Sequence, residues 1–227
     1  MIDQADQGFV SGILSFWPKL STTEHAQLLN GINTMHYAQG QSIHRGETDC
    51  IGVLLIKSGS LRTYLLSEDG REVTLFRLKK GDVCILSASC ILKNITFEVH
   101  IDAEADSDVL IINSAILANL AEQNIYVENF INQETVSRFS DVMWAMEQIL
   151  FMSFDKRLAV FLLDELSQQP EAKTSTIQMT HEQIAKYVGS AREVVSRMLK
   201  YFANEGYVEL SRGGVKVINQ QGLRNLL

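Results

Sequence analysis

Arg192, Glu193, Ser196 and Arg197 fall within two helical turns and carry the side-chain chemistry that reads the edges of base pairs. An Arg guanidinium can grip guanine O6 and N7 together, a Glu carboxylate can accept from cytosine N4, and a Ser hydroxyl can reach a base edge or a phosphate. Charged residues on an exposed helix are commonplace, so what stands behind the face decides its meaning.

The elements that must position this face are legible from Met179 to Gly206. Thr180 is a good N-cap, and Gln183, three residues on, completes a capping box. Ile184, Ala185 and Val188 then form an apolar stripe that ends at Gly189, a residue free to make the turn between two crossed helices. Ser190 is expected to cap a second helix whose buried side is Val195, Met198, Leu199 and Phe202. That leaves Ala191, Arg192, Glu193, Ser196 and Arg197 facing out. Tyr207–Leu210 and Val215–Ile218 flank Ser211-Arg212-Gly213-Gly214 as a short hairpin, so the whole reads as a winged helix-turn-helix. The expected DNA-contacting set is Thr180, His181, Ser190, Arg192, Glu193, Ser196, Arg197, Lys200 and Arg212, the last two on phosphate.

Charge is divided along the chain in the same sense. Of the net −7, residues 174–227 hold seven Lys and Arg against four Asp and Glu, or +3, leaving −10 for the rest. Attraction to phosphate is therefore local to the C-terminal part. At 227 residues and 46% hydrophobic content the chain can bury one or two cores. No apolar run approaches the about 18 residues of a membrane span, and MIDQADQGFVSG has neither the basic nor the apolar region of a signal peptide. The expectation is a cytoplasmic protein without a membrane partner. Cys50, Cys84 and Cys90 are too few for a disulfide scaffold and fit a reducing compartment.

Upstream, Ser11–Gly31 is expected to be helical, with Ser21 or Thr22 capping. From about Tyr37 to Asn113 glycines punctuate short apolar stretches, as in a sandwich or barrel. Glu68-Asp69-Gly70-Arg71 is a predicted hairpin turn between Leu61–Leu66 and Glu72–Phe76. A long helix without Gly or Pro follows over about Asn124–Phe151. Val136, Phe139, Met143, Met146 and Leu150 repeat along it as an a/d seam, too short for a firm coiled coil but suited to pairing with a second copy. Pairing also answers a need, since one reading helix offers too few base contacts. Phe154-Asp155 restarts the helical pattern after a hinge, with Asp155 as the expected cap. The helix carrying Leu158, Phe161, Leu162 and Leu166 should end near Gln169-Pro170. The expected fold is α+β: an N-terminal β-sandwich or barrel over residues 1–122, a dimerisation helix over 123–153, and a winged helix-turn-helix over 154–227.

In that order the parts resemble the Crp/Fnr family of bacterial transcription regulators along nearly the whole chain. The matching pieces are Tyr37-Ala38-Gln39-Gly40, Gly46-Glu47, Leu55–Arg62, Glu68–Glu72, Gly81-Asp82 and Arg192–Arg197. The resemblance implies that the barrel is of the cyclic-nucleotide-binding type (double-stranded β-helix or jelly roll) and that Glu193 and Arg197 make base contacts. Ser196 is similar to the Fnr-type branch and Arg192 to the cyclic AMP branch. It also implies a homodimer on a two-fold operator in double-stranded DNA, with RNA polymerase as a further partner and a small effector in the barrel.

The effector segment departs from the family. Members that bind cyclic AMP follow the Gly-Asp turn with a Gly-Glu-Leu cassette and then an Arg-Ser or Arg-Thr pair. Here Val83–Cys90 follows, and Phe97 and Glu98 fall near the Arg-Ser position. A buried cyclic phosphate facing Glu98 without Arg would be uncompensated, so cyclic AMP is disfavoured. The expected pocket is Cys84, Ser87, Ser89, Cys90, Phe97 and Glu98. The cofactor stays open. A four-ligand iron-sulfur cluster lacks a cysteine, while haem or a metal is left standing, with His36, His44 or His100 as axial candidates. Cys84 and Cys90 are either small apolar residues or a thiol or metal pair, and their apolar surroundings favour slow thiols, with oxidation expected to matter little. The rival classes are a cupin-like metal-dependent enzyme with a helical appendage and a protein-interaction module, and catalysis is not expected.

Overall fold

The structure, a computed structural model, describes residues 3–46, 50–88, 90–92, 98–167 and 175–227. Glu47, Ser89, Phe97 and the expected helix end at Gln169-Pro170 lie outside the described residues. The chain divides into two compact units, residues 1–65 with 75–143, and residues 66–74 with 144–227.

In the first unit, α1 (Gln4–Ile13) and α2 (Thr22–Asn30) replace the single helix expected over Ser11–Gly31. Pro18, inside a 3-10 turn at Trp17–Lys19, interrupts the helical ladder, and Ser21 then caps α2 in a capping box with Glu24. The strands are β1 (Ile32–Tyr37), β2 (Ser42–Arg45), β3 (Val53–Ile56), β4 (Ser60–Leu66), β5 (Glu72–Lys79), β6 (Val83–Cys84), β7 (His100–Ala103) and β8 (Ser107–Ile112). They form two four-stranded sheets, ordered β1-β8-β3-β6 and β2-β7-β4-β5. Gly70, with φ +78°, makes the β4–β5 turn where the sequence places it.

Strand β3 is buried on both faces because it sits at the centre of the stack. Leu54 and Ile56 meet Leu61, Leu78 and Ile101 of the opposite sheet, while Val53 and Leu55 meet Leu28, Leu117 and Val127 from the helical layer. Residues of alternating parity thus serve two cores, as a covered strand requires.

α3 (Ser114–Gln123) leads into α4 (Ile125–Phe151), where Val136, Phe139, Met143, Met146 and Leu150 are 37% to 64% exposed. Such a row of large apolar side chains is out of place on water. α5 (Phe154–Ser167) starts after a two-residue break. Asp155 lies in its first turn rather than at its cap, and a Ser153 hydroxyl bond holds that carboxyl below its usual range. Arg157 Nη1 donates to the Ile149 carbonyl at 3.3 Å, bracing the end of α4 against the start of α5.

The second unit continues with β9 (Thr176–Ile177), α6 (His181–Val188), α7 (Arg192–Asn204), β10 (Val208–Ser211), β11 (Gly214–Val217) and α8 (Gln220–Arg224). Its core joins Leu158 and Leu162 to Ile184, Val188, Val195, Leu199, Phe202, Val208, Val215 and Leu223. The β4–β5 tip belongs to this unit: Lys186 Nζ pairs with Glu72 at 2.8 Å and Thr74 Oγ1 donates to the Lys186 carbonyl. Among the described residues no helix is long and apolar enough to cross a membrane.

Candidate nucleic-acid interface

Thr180 starts α6 with a capping box: its hydroxyl accepts from the Gln183 N–H at 3.1 Å, and Gln183 Oε1 accepts from the Thr180 N–H at 2.8 Å. Gly189 ends the helix in the left-handed region, φ 62° and ψ 49°, where a β-carbon is unwelcome. Ser190 is a turn residue whose N–H bonds the Ala185 carbonyl, and Ala191 takes the cap of α7 without a side-chain bond. The expected Ser190 cap is therefore corrected. The Schellman-like close after Gly189 already uses the Ser190 backbone and moves the helix start one residue on.

Buried Val195, Leu199 and Phe202 fix the roll of α7, so the opposite face must point outward. Arg192, Glu193, Arg197 and Lys200 are exposed, Ser196 is half-buried, and their spacing places all five on one stripe. Arg212 is exposed at the wing tip, in the turn between β10 and β11. Behind the stripe, a cleft of about 350 Å³ opens among Thr180, His181, Arg192, Ser211, Gly213 and Gly214. Start of α6, start of α7 and wing thus converge, bringing Thr180, His181 and Arg192 together.

One contact in this cluster was not legible in sequence. His181 Nδ1 and Ser196 Oγ are hydrogen-bonded at 2.8 Å across 15 residues. Burial, and secondarily the Arg192 cation, push the imidazole below its ordinary value of 6.5, so it is neutral near pH 7. The tautomer then decides whether Ser196 offers a donor or an acceptor outward.

The described members of the expected effector set lie in different surroundings. Cys84 and Ser87 are buried in the sheet interior, whereas Glu98 is exposed beside Gly46. Glu98 therefore does not supply the buried negative wall that the sequence argument against cyclic AMP assumed. The Ser87 hydroxyl is turned to backbone, 2.7 Å from the Gly52 carbonyl and 3.0 Å from that of Cys84. Residues 83–92 contain no Lys or Arg, so a cyclic phosphate finds no cation in this segment. Thr63 Oγ1 is fully buried in β4 with no hydrogen-bond partner among the described residues, a polar position that sequence reading missed.

Cys84 and Cys90 are not a pair. Cys90 is disulfide-bonded to Cys50, 40 residues away, and Cys84 is a free, buried thiol whose pKa burial pushes up. The reading of Cys84 with Cys90 as a thiol or metal pair is corrected accordingly. Antiparallel β3 and β6 pair Leu54 with Cys84, and this brings the chain before β3 against the chain after β6. Among the haem candidates, His36 bonds Asp108 at 2.8 Å on the surface, His44 is buried, and His100 stacks on Tyr64. No group of three or more His, Cys, Asp or Glu able to hold a metal ion occurs among the described residues.

Two family models match: a Crp-like helix-turn-helix domain over residues 156–226 and a cyclic nucleotide-binding domain over residues 34–124. A crystal structure from Eubacterium rectale, described as a transcriptional regulator of the crp/fnr family, is 46% identical over 95% of this chain and 98% of its own, with a TM-score of 0.90. The transcriptional regulatory protein btr of Bordetella pertussis is 26% identical over 83% of this chain and 78% of its own. The cAMP-activated global transcriptional regulator Vfr of Pseudomonas aeruginosa is 25% identical over 85% of this chain and 92% of its own.

Proposed function

The chain belongs to the Crp/Fnr family of transcriptional regulators, and from that premise we propose that it binds a two-fold operator as a homodimer under control of a small effector other than a cyclic nucleotide. The observation that carries the reading is the outward stripe Arg192, Glu193, Ser196, Arg197 and Lys200 on a helix whose roll is set by its buried side. Arg197 and Glu193 read bases, Ser196 is tuned by His181, and Lys200 with Arg212 holds phosphate. Exposed Val136, Phe139, Met143, Met146 and Leu150 pair with the same seam of a second copy, setting two reading helices at half-site spacing. Effector binding in the first unit shifts the α4 pair and reorients α7 about the break at Met152-Ser153. RNA polymerase is the expected partner of the bound dimer, and the cytoplasm its place of work.

The experiment is selection of bound duplexes from a random pool by the full chain, followed by titration at several salt concentrations. A palindromic consensus, with log affinity falling linearly against log salt, supports the reading. Recovery of no sequence preference overturns it.

A further inference from the structure

We propose that Cys50 and Cys90 form a reversible redox-modification site in the first unit, closed by low-molecular-weight disulfides and opened by the corresponding thiols. The pair is disulfide-bonded with its α-carbons 5.9 Å apart, inside the ordinary range for such a bond. Cys90 is exposed and Cys50 half-buried, so a small thiol can reach the bond. Cys84, six residues before Cys90, is fully buried and takes no part. Chemistry is thereby confined to two of the three cysteines, and to a pair that sequence spacing does not single out.

Closure proceeds by two exchanges. The Cys90 thiolate attacks one sulfur of the small disulfide, forming a mixed disulfide and expelling one small thiolate. The Cys50 thiolate then attacks Cys90 Sγ, and the second small thiolate leaves. Both protein thiols give their protons to solvent, the protein sulfurs lose two electrons in total, and the small disulfide gains them. Excess small thiol runs the same steps backward.

What the bond ties gives it a consequence. Cys90 follows β6 and the 3-10 turn Leu86–Ala88, and Cys50 lies just before Gly52 and β3. Among the described residues the Ser87 hydroxyl also joins these two stretches, donating to the Gly52 carbonyl. Cys50, Ile91 and Leu92 pack partly buried on the core that holds Val53, Val83, Ile85 and Ala88. Closing the bond clamps the turn on that core, and opening it leaves the Ala88 and Ile91 amides, among the described residues, with single backbone bonds to the carbonyls of Ile85 and Ala88. The redox state therefore sets the order of the segment that follows Gly81-Asp82, where the family resemblance puts the effector.

The test uses the full chain, reduced and freed of reductant, then incubated with glutathione disulfide. Alkylation and intact-mass measurement should find two thiols reactive in the folded, reduced protein and a third only after unfolding. After oxidation the mass should fall by two hydrogens, and Cys84 alone should label, again only after unfolding. C84S should close as wild type does, and C50S should not close. Amide exchange in the peptide carrying Ala88 and Ile91 should be about tenfold or more faster in the reduced form. Labelling of all three cysteines after oxidation, a bond that includes Cys84, or identical exchange in the two forms would each overturn the proposal. The link to an effector segment rests on the regulator reading, but these measurements need no DNA. A protein that binds no duplex would end that reading and leave the redox site to be decided by its own data.

Discussion

Replacing Met143 separates the dimer seam from the helix's internal packing. Met143 is 51% exposed in the single chain, so about half of its side chain is still available for burial. Full burial of such a side chain is worth ~1.5–3 kcal/mol, which leaves about 1 kcal/mol per protomer for a partner to collect. Two-fold symmetry doubles this, so Met143→Ala should weaken the dimer by about 2 kcal/mol, roughly 30-fold in Kd. Met143→Glu should do far more. It places two carboxylates near one axis, each costing several kcal/mol to bury, and Kd should rise by more than about a thousandfold. Sedimentation velocity over a concentration series reads both effects directly. Operator titration should follow, because a monomer engages one half-site. If Met143→Glu sediments as the wild-type dimer at every concentration, the exposed row on α4 is not the interface and the reasoning from its exposure is wrong.

Other expectations concern the second unit. Lys200→Ala and Arg212→Ala should weaken operator and random duplex alike and each reduce the salt slope by about 1, whereas an unchanged slope would remove them from phosphate. Gly189→Ala forces a β-carbon into φ 62° and should cost about 1–2 kcal/mol in urea denaturation, with little contribution from crowding because the nearest neighbour, Val73, stands 3.4 Å away. His181 is held below 6.5 in the folded chain, so its contribution is complete above that value and is lost as pH falls below it, the unfolded chain taking up the proton first. Stability of the second unit should therefore decline from about pH 6.5 downward, and His181→Asn should flatten that decline; parallel curves for the two proteins would discount the imidazole.

The second unit was largely legible because its signals are local. Thr180 and Gln183 form a box within one turn, Gly189 marks its own conformation, and the 3.6-residue period of Val195, Leu199 and Phe202 fixes the outward stripe. The misreadings arose where a local signal had a competitor. Ser190 is a good cap by type, yet its N–H is already used to close α6. Asp155 likewise yields the start of α5 to the residue before it. Pro18 breaks the ladder inside a stretch whose pattern is otherwise helical, and β9 is two residues long, too short for any period to show. What could not be read at all is long-range. The bond between Cys50 and Cys90 depends on β3 and β6 pairing, and the contact of His181 with Ser196 on the crossing of two helices. Neither leaves a spacing in the sequence.

Base reading by Arg197 is the most direct consequence of placing α7 in the major groove. Fluorescence anisotropy of wild type and Arg197→Ala, each titrated against the selected operator and a scrambled duplex at fixed salt, measures discrimination alone. A bidentate contact predicts a loss of about 1–3 kcal/mol, roughly 5- to 150-fold, on the operator, beyond any change on the scrambled duplex. Equal operator-to-scrambled ratios for the two proteins would contradict the docking of α7 in the major groove.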